Sequence, residues 1–260
     1  MKRCDKYEKG EQFEPLTFKI TEEFNNKYIE ALEAYFPRYQ KEGMAVYGML
    51  IGKSNVTQSP SFFLPEGVAA VHAREELKLM NTAWVDDEIT VTWKVIDTFE
   101  KRGRFFQVKD AIVSVKEIPI IKRRIFDTFM GGEHKGQDTP TRPREIDLFH
   151  YIFDTSRPRT VTEKRINLFS KGNNIHTNLE FAKKCGLKTV AASGAMFEGY
   201  LIDELINIHG MKFIYAGSLI LNFLKVVDKN TILTPRIGED YICCINEENE
   251  AVCAGSYLIE

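Results

Sequence analysis

The chain has 260 residues, 43% hydrophobic and 28% charged, so it can bury the core of one large domain or two ordinary ones. A net charge of −2 and five irregularly spaced cysteines lead us to expect no nucleic-acid partner, no metal site and a reducing compartment. No apolar run reaches the roughly 18–20 residues that span a bilayer, and no signal-peptide pattern opens the chain, so we expect no membrane and a cytoplasmic location.

The first half predicts a helix followed by antiparallel strands. Phe18–Glu22 places an extended apolar residue before Thr21 and Glu22, which is typical of a helix start. Ile89–Val95 alternates as a half-buried strand does, whereas Phe106–Val115 alternates less cleanly. Glu100–Arg104 between them predicts a hairpin turn.

Residues 126–157 interrupt these patterns and are rich in glycine and proline dipeptides. Such breakers indicate a linker, which divides the chain into a domain at 1–125 and a domain at 158–260. The basic run Lys122–Arg124, just before the linker, has two interpretations. It can bind a phosphate, as a coenzyme A tail offers, or it can be a solvated basic face.

The second half predicts a helix, a polar loop, a short helix, a long apolar helix and then strands. Asn178 is placed to cap the short helix and Gly186 to end it. The predicted helices are Thr162–Phe169, Leu179–Cys185 and about Ala195–Ile208, and the strand-like runs are Phe213–Val227, Tyr241–Ile245 and Ala251–Ile259.

Two short sequence segments of the first half have similar counterparts in the second half, at nearly the same offset. The Thr-Glu helix start at Thr21 returns at Thr162, 141 positions later. The acidic turn that begins at Val85 returns at Val227, 142 positions later. Two similarities at one offset favour a duplicated unit, and chance likeness between short turn phrases is the alternative.

Within the polar loop, the segment FSKGNNIHTN (Phe169–Asn178) gathers a glycine, three asparagines and one of only five histidines. Together with Val190–Met196, it resembles the signature of MaoC-like (R)-specific enoyl-CoA hydratases. The resemblance implies an α+β double hot-dog fold, in which two copies of a curved antiparallel sheet each wrap a central helix. In such proteins the N-terminal copy lacks the motif and mainly shapes the acyl pocket, and the first half here has no such motif.

The resemblance implies roles for three residues of the second half. His176 matches the catalytic histidine, which activates water for addition across an enoyl thioester. Asn173 matches the motif asparagine. Gly194 matches the glycine whose amide polarises the thioester carbonyl, and it opens a helix whose positive end favours a developing oxyanion.

Four positions depart from the motif. In an alignment without gaps the catalytic aspartate falls on Lys171 and the motif proline on Asn174, while Ser193 replaces a histidine and Ile202 a serine. A one-residue contraction would instead place the aspartate at Gly172 or Asn173, so no carboxylate lies between Phe169 and Asn178 in either alignment.

Glu198 on the apolar helix is the candidate replacement for the missing acid. It lies one turn before Ile202 on the same face, so a His176–Glu198 dyad is one hypothesis. The alternative places Glu198 at a domain interface or against a basic side chain. Lys171 likewise either contacts a substrate carboxylate or enolate or is a solvated loop lysine. The remaining histidines are interpreted as structural or surface residues: His72, His134, His150 and His209.

These features predict an acyl-thioester hydratase or dehydratase that uses His176 as general acid/base, with Ser193 and Gly194 at the oxyanion. One alternative is a hot-dog thioesterase that uses Glu198, and another is a degenerate protein that binds acyl thioesters without turnover. The expected substrate is an acyl-CoA or acyl-carrier-protein thioester, with no cofactor beyond the CoA or phosphopantetheine of the substrate. A homodimer is compatible with this prediction.

Overall fold

The computed structural model describes residues 7–132 and 154–260, in which helices and strands recur in two rounds. The first round comprises β1 (Gln12–Lys19), α1 (Glu22–Leu32), α2 (Pro37–Lys41), α3 (Tyr47–Lys53), β2 (Val68–Leu79), β3 (Glu88–Lys101), β4 (Arg104–Val115) and β5 (Ile118–Gly131). The second comprises β6 (Asp154–Thr155), β7 (Arg159–Thr160), α4 (Glu163–Phe169), α5 (Leu179–Lys184), α6 (Gly194–His209), α7 (Met211–Ala216), β8 (Gly217–Phe223), β9 (Ile232–Ile237), β10 (Tyr241–Ile245) and β11 (Ala251–Ile259).

The two rounds form one antiparallel sheet with the same strand order in each half. The first half runs β1-β3-β4-β5-β2, and the second runs β8-β11-β10-β9, with β6 and β7 on the far side of β9. The halves join where β2 pairs with β8, for example Glu76 opposite Ile220. Matching β7, β9, β10, β11 and β8 to β1, β3, β4, β5 and β2 gives one repeated unit, which supports the duplication predicted from the sequence.

Equivalent helix starts are built in the same way in both halves. Thr21 caps α1 by accepting a hydrogen bond from the Phe24 amide at 3.1 Å. Thr162 caps α4 by accepting one from the Arg165 amide at 3.3 Å. A hydroxyl at the N-cap satisfies one of the amides that the first helical turn leaves free, so the repeated Thr-Glu phrase has the predicted function.

Helix α6 is the central element of the second half, and residues 195–206 along it are buried. It packs against β9 and β10 of its own half and against α3 of the first half. The two helices approach closely at Gly48 and Gly199, where a Cβ on Gly48 would lie 3.1 Å from the Gly199 Cα. Glycine is needed at this crossing because a side chain on either helix would meet backbone.

Two sequence-based boundaries need correction. Strand β5 continues through Gly131, so the first six residues of the predicted linker belong to the sheet, while residues 133–153 lie outside the described part of the chain. The apolar stretch at Phe213 begins as helix α7 and becomes strand only at Gly217. In the described residues, no helix combines the length and the apolar character that crossing a membrane requires.

The basic run before the linker is not a uniformly solvated face. Its residues alternate along β5, so Lys122 and Arg124 are exposed while Arg123 is buried. Arg124 pairs with Asp110 at 2.8 Å. The physical reason is the two-residue period of a strand, which turns every second side chain toward the core.

Candidate active site

The polar loop between α4 and α5 is held by its own asparagines. Asn174 donates a hydrogen bond to the Lys171 carbonyl and accepts one from the His176 amide, each at 2.9 Å. Gly172 has a φ of +94°, which favours glycine there. Asn178 caps α5 through the Phe181 amide at 3.0 Å and donates to the Asn173 side chain at 2.8 Å. The predicted cap is confirmed, and the loop is a built structure.

His176 is fixed to the strand-like segment that precedes α6. Its Nδ1 lies 2.7 Å from the Ala191 carbonyl, which can only accept, so Nδ1 carries the proton and Nε2 remains the free acceptor. The Ala191 amide donates back to the Ile175 carbonyl at 3.1 Å. Burial lowers the pKa of His176 to about 4, the Ala191 hydrogen bond opposes this shift, and the charge of His72 adds to it. His176 is therefore neutral at pH 7.

Helix α6 begins beside this histidine. Ser193 occupies the N-cap in an extended conformation, but its side chain makes no capping hydrogen bond, and Gly194 is the first helical residue. The first amides of a helix have no partner inside it and carry the positive end of its dipole. A Cβ at Gly194 would lie 3.0 Å from the Phe223 ring, so the close approach of that ring favours glycine. The helix start can therefore stabilise an oxyanion.

A cavity of about 560 Å³ connects these groups and is lined by both halves of the chain. Its size is within the range of small-molecule sites. The predicted residues Lys171, Asn173, His176, Ser193 and Gly194 all line it. The structure thus brings together five of the six residues predicted for the site.

Glu198 is the exception, since it is not among the residues that line this cavity. Its side chain is fully buried, with an oxygen 3.8 Å from Arg123 Nη2. Burial, followed by the neighbouring Glu75 carboxylate, raises the pKa of Glu198, although Arg123 opposes the shift. These contacts correspond to the alternative interpretation, in which Glu198 lies between the halves against a basic side chain.

Lys171 lies on the rim of the cavity as an exposed side chain close to two other lysines. Burial lowers the pKa of Lys27 and of Lys53, and the charge of Lys171 lowers both further. Three lysines therefore concentrate positive charge near one side of the cavity mouth.

His72 of β2, which the sequence led us to interpret as a structural or surface residue, also lines the cavity. Its Nδ1 lies 2.9 Å from Asp127 Oδ1, an ion-pair distance. The contact arises because His72 and Asp127 are opposite each other in the β2–β5 ladder, which no local spacing reveals. The sequence did contain one sign of a polar cluster in this half. The alternation of β4 is imperfect because Gln107 and Lys109 are polar residues at buried positions.

No known protein-family profile and no curated protein sequence matches the chain. Solved structures do match. The HtdX protein of Mycobacterium tuberculosis is 18% identical, with a TM-score of 0.69, and the match covers 95% of this chain and 98% of that one. A MaoC-like dehydratase from Phytophthora capsici is 13% identical, with a TM-score of 0.69, over 97% of this chain and 96% of that one.

A third similar structure is a conserved Mycobacterium tuberculosis protein described as a double hot-dog. It is 10% identical, with a TM-score of 0.64, over 98% of this chain and 97% of that one. The chain has the double hot-dog fold. At these identities the similarity establishes the fold, and the reaction must be argued from the cavity. In this double hot-dog, β1–β5 with α1–α3 form the first copy, and β6–β11 with α4–α7 form the second.

Proposed function

We propose that this double hot-dog protein is an acyl-thioester hydratase or dehydratase, which adds water to a 2-enoyl thioester or removes it from a 3-hydroxyacyl thioester. The observation that supports this most is the placement of His176. Its Nδ1 is held by Ala191, its Nε2 is free, and Gly194 at the start of α6 lines the same cavity. One group can accept a proton while the other stabilises the thioester oxygen.

In this proposal His176 acts as the general acid/base. Because its low pKa keeps the ring neutral at pH 7, Nε2 can take a proton from water as the water oxygen attacks C3. The Gly194 amide accommodates the negative charge that develops on the thioester oxygen. Asn173, which accepts from Asn178, helps to keep the loop in place and is a supporting residue.

The carrier of the acyl group is proposed to bear a phosphate, as coenzyme A and phosphopantetheine both do. The support is the group formed by Lys27, Lys53 and Lys171 near the cavity mouth, where an anion would relieve the mutual repulsion of the three ammonium groups. This use of Lys171 differs from contact with a substrate carboxylate inside the cavity.

Hydration of crotonyl-CoA by the full chain tests the proposal. We expect turnover by the wild type and a decrease of about 10²–10⁴-fold in kcat for His176→Ala, the range that general acid–base groups contribute. His209→Gln is a matched control, because His209 contacts Tyr257 and does not line the cavity. An equal loss in both variants would contradict the role of His176.

The same assays separate the two alternatives. Thioester hydrolysis by a helix carboxylate would release free CoA and would depend on Glu198, which the cavity lining does not include. Tight binding of acyl-CoA without hydration or hydrolysis would indicate a binding protein. The free Nε2 and the helix start favour the hydratase, because neither is needed for binding alone.

A further inference from the structure

His72 has the surroundings of a catalytic histidine, although it belongs to the half without the motif. The β2–β5 ladder pairs His72 with Asp127 and then shifts register, so that the next pair is Arg74 with Phe126. A bulge of this kind changes the direction of a side chain, and bulges are frequent beside active sites. Here it accompanies a histidine that lines the cavity.

Asp127 is held as a carboxylate behind that histidine. Its Oδ2 lies 2.8 Å from Lys109 Nζ, and both side chains are almost completely buried. Burial by itself raises the pKa of Asp127, but Lys109 and His72 outweigh it and lower the pKa below its ordinary value. Lys109 also donates to Gln107 at 2.9 Å. A buried carboxylate at Nδ1 can stabilise the imidazolium that forms when Nε2 takes a proton.

The opposite edge of the His72 ring faces the start of α6. A Cβ on Gly194 would lie 3.5 Å from Cδ2 of His72, and Cδ2 is bonded to Nε2. The ring also contacts Phe223, with centroids 5.7 Å apart. Nδ1 therefore meets Asp127, while the edge that carries Nε2 lies toward Gly194, where the thioester carbonyl is proposed to bind.

We propose that His72 is a second catalytic acid/base, supplied by the first half, which takes the place of the aspartate that Lys171 replaces. This inference rests on the proposed function, since it concerns the same cavity and the same thioester. His176 serves the water at C3, and His72 serves the proton at C2. Asp127 is the positioning residue for His72, and Lys109 keeps Asp127 charged.

In the hydration step, the His72 ring starts with the additional proton and the His176 ring ends with one, so the protons balance. The water oxygen bonds to C3 of the enoyl thioester, and a water proton passes to Nε2 of His176. The C2=C3 π pair moves toward the carbonyl, and the negative charge rests at the Gly194 amide. That pair then forms a bond between C2 and a proton from Nε2 of His72. The thioester gains one water without oxidation or reduction, and the proton on His176 returns to His72 through solvent.

Two assays on the full chain test this role. In the first, His72→Gln is expected to lower kcat for crotonyl-CoA hydration by about 10²-fold or more, while His209→Gln retains wild-type kcat. In the second, butyryl-CoA is incubated in D2O and deuterium at C2 is measured. Because butyryl-CoA has no double bond to hydrate, exchange reports only proton transfer at C2. Wild type and His176→Gln are expected to exchange, and His72→Gln is expected not to.

Each outcome decides between the two proposals. Exchange without hydration in the wild type would contradict the hydratase, and loss of that exchange in His72→Gln would still support His72 as the base at C2. Hydration and exchange that survive in His72→Gln would overturn the role of His72 and leave the hydratase intact. A wild type that does not exchange butyryl-CoA also overturns that role. Thermal unfolding of each variant shows that the comparison is made between folded proteins.

Asp127→Asn tests the positioning role separately. We expect kcat to fall by about tenfold or more and the alkaline limb of its pH profile to move to lower pH, because an amide cannot stabilise the imidazolium. A purely structural effect would lower the rate without moving the limb. Besides His72 and Asp127, the charged or titratable side chains of the described residues that line the cavity are Glu66, Arg104, Lys171, His176 and Lys225, and all are unchanged in this variant. If Asp127→Asn lowered kcat by the same factor in the His72→Gln variant as in the wild type, the proposed pairing of Asp127 with His72 would be contradicted.

Discussion

The two halves share a strand order, but they bring different groups to the cavity. In the second half, the third helix has 16 residues, and its start lies beside the histidine loop. In the first half, the corresponding helix has 7 residues, and the cavity groups come from the sheet as His72 and Asp127. A copy without the loop motif can therefore still place titratable groups in a shared cavity, because strand pairing brings distant residues together.

The largest effect on stability is expected where a charged residue of the first half meets the second half. Arg123 donates to Glu75 through Nε and Nη2, donates to the Ile51 carbonyl through Nη1 at 2.6 Å, and lies 3.8 Å from Glu198. Arg123→Met leaves two buried carboxyl groups without a cation, so we expect a loss of about 3–5 kcal/mol in the free energy of unfolding. Urea denaturation measures it.

Arg124→Met is the matched control for that experiment. Arg124 is the next residue of β5 and pairs with Asp110 on the exposed face, where an ion pair contributes about 1 kcal/mol or less. Similar losses in the free energy of unfolding for the two variants would show that the buried contacts of Arg123 with Glu75 and Glu198 have no special role. If the double variant Glu75→Gln/Arg123→Met regained part of the stability lost in Arg123→Met, the unpaired Glu75 carboxylate would be identified as the cause of that loss.

A smaller loss is expected where the central helices cross. A Cβ at Gly199 would lie 3.1 Å from the Gly48 Cα, so Gly199→Val must separate α3 from α6 or strain them. Overpacking of this kind costs about 1–3 kcal/mol. Ile208→Val on the exposed side of the same helix is the control, since its side chain is 49% exposed. Thermal unfolding that is unaffected by Gly199→Val would show that the crossing tolerates a side chain.

The histidine of the second half is expected to make stability depend on pH. Because the pKa of His176 is about 4 in the folded chain and 6.5 ordinarily, the unfolded chain binds the proton more tightly. The contribution of His176 to the free energy of unfolding is fully present above pH 6.5. It is lost as the pH falls from 6.5 toward 4. We expect a loss on the order of 1 kcal/mol that is reduced in His176→Gln. Identical pH dependence in both proteins would contradict this.

Local chemistry made part of this molecule predictable. The Thr-Glu helix starts, the Asn178 cap and the turn at 100–104 depend on neighbours in sequence, and all three are confirmed. The histidine loop was recognised because its residues are contiguous. The pairing of His72 with Asp127 depends on strand register across 55 positions, and the burial of Glu198 depends on a charged partner from the other half. Local pattern and spacing do not identify the partner in either contact.

The smallest expected effect concerns Glu198, and it decides which half supplies the second acid. Burial and the Glu75 carboxylate raise the pKa of Glu198, which favours its protonated form, and glutamine has nearly the shape of that form. Glu198→Gln should therefore change the free energy of unfolding by about 1 kcal/mol or less. Hydration of crotonyl-CoA should stay at the wild-type rate. If Glu198 were the partner of His176, the same variant would lose about 10²-fold in kcat. Unchanged turnover in Glu198→Gln beside a large loss in His72→Gln would place the second acid/base in the first half.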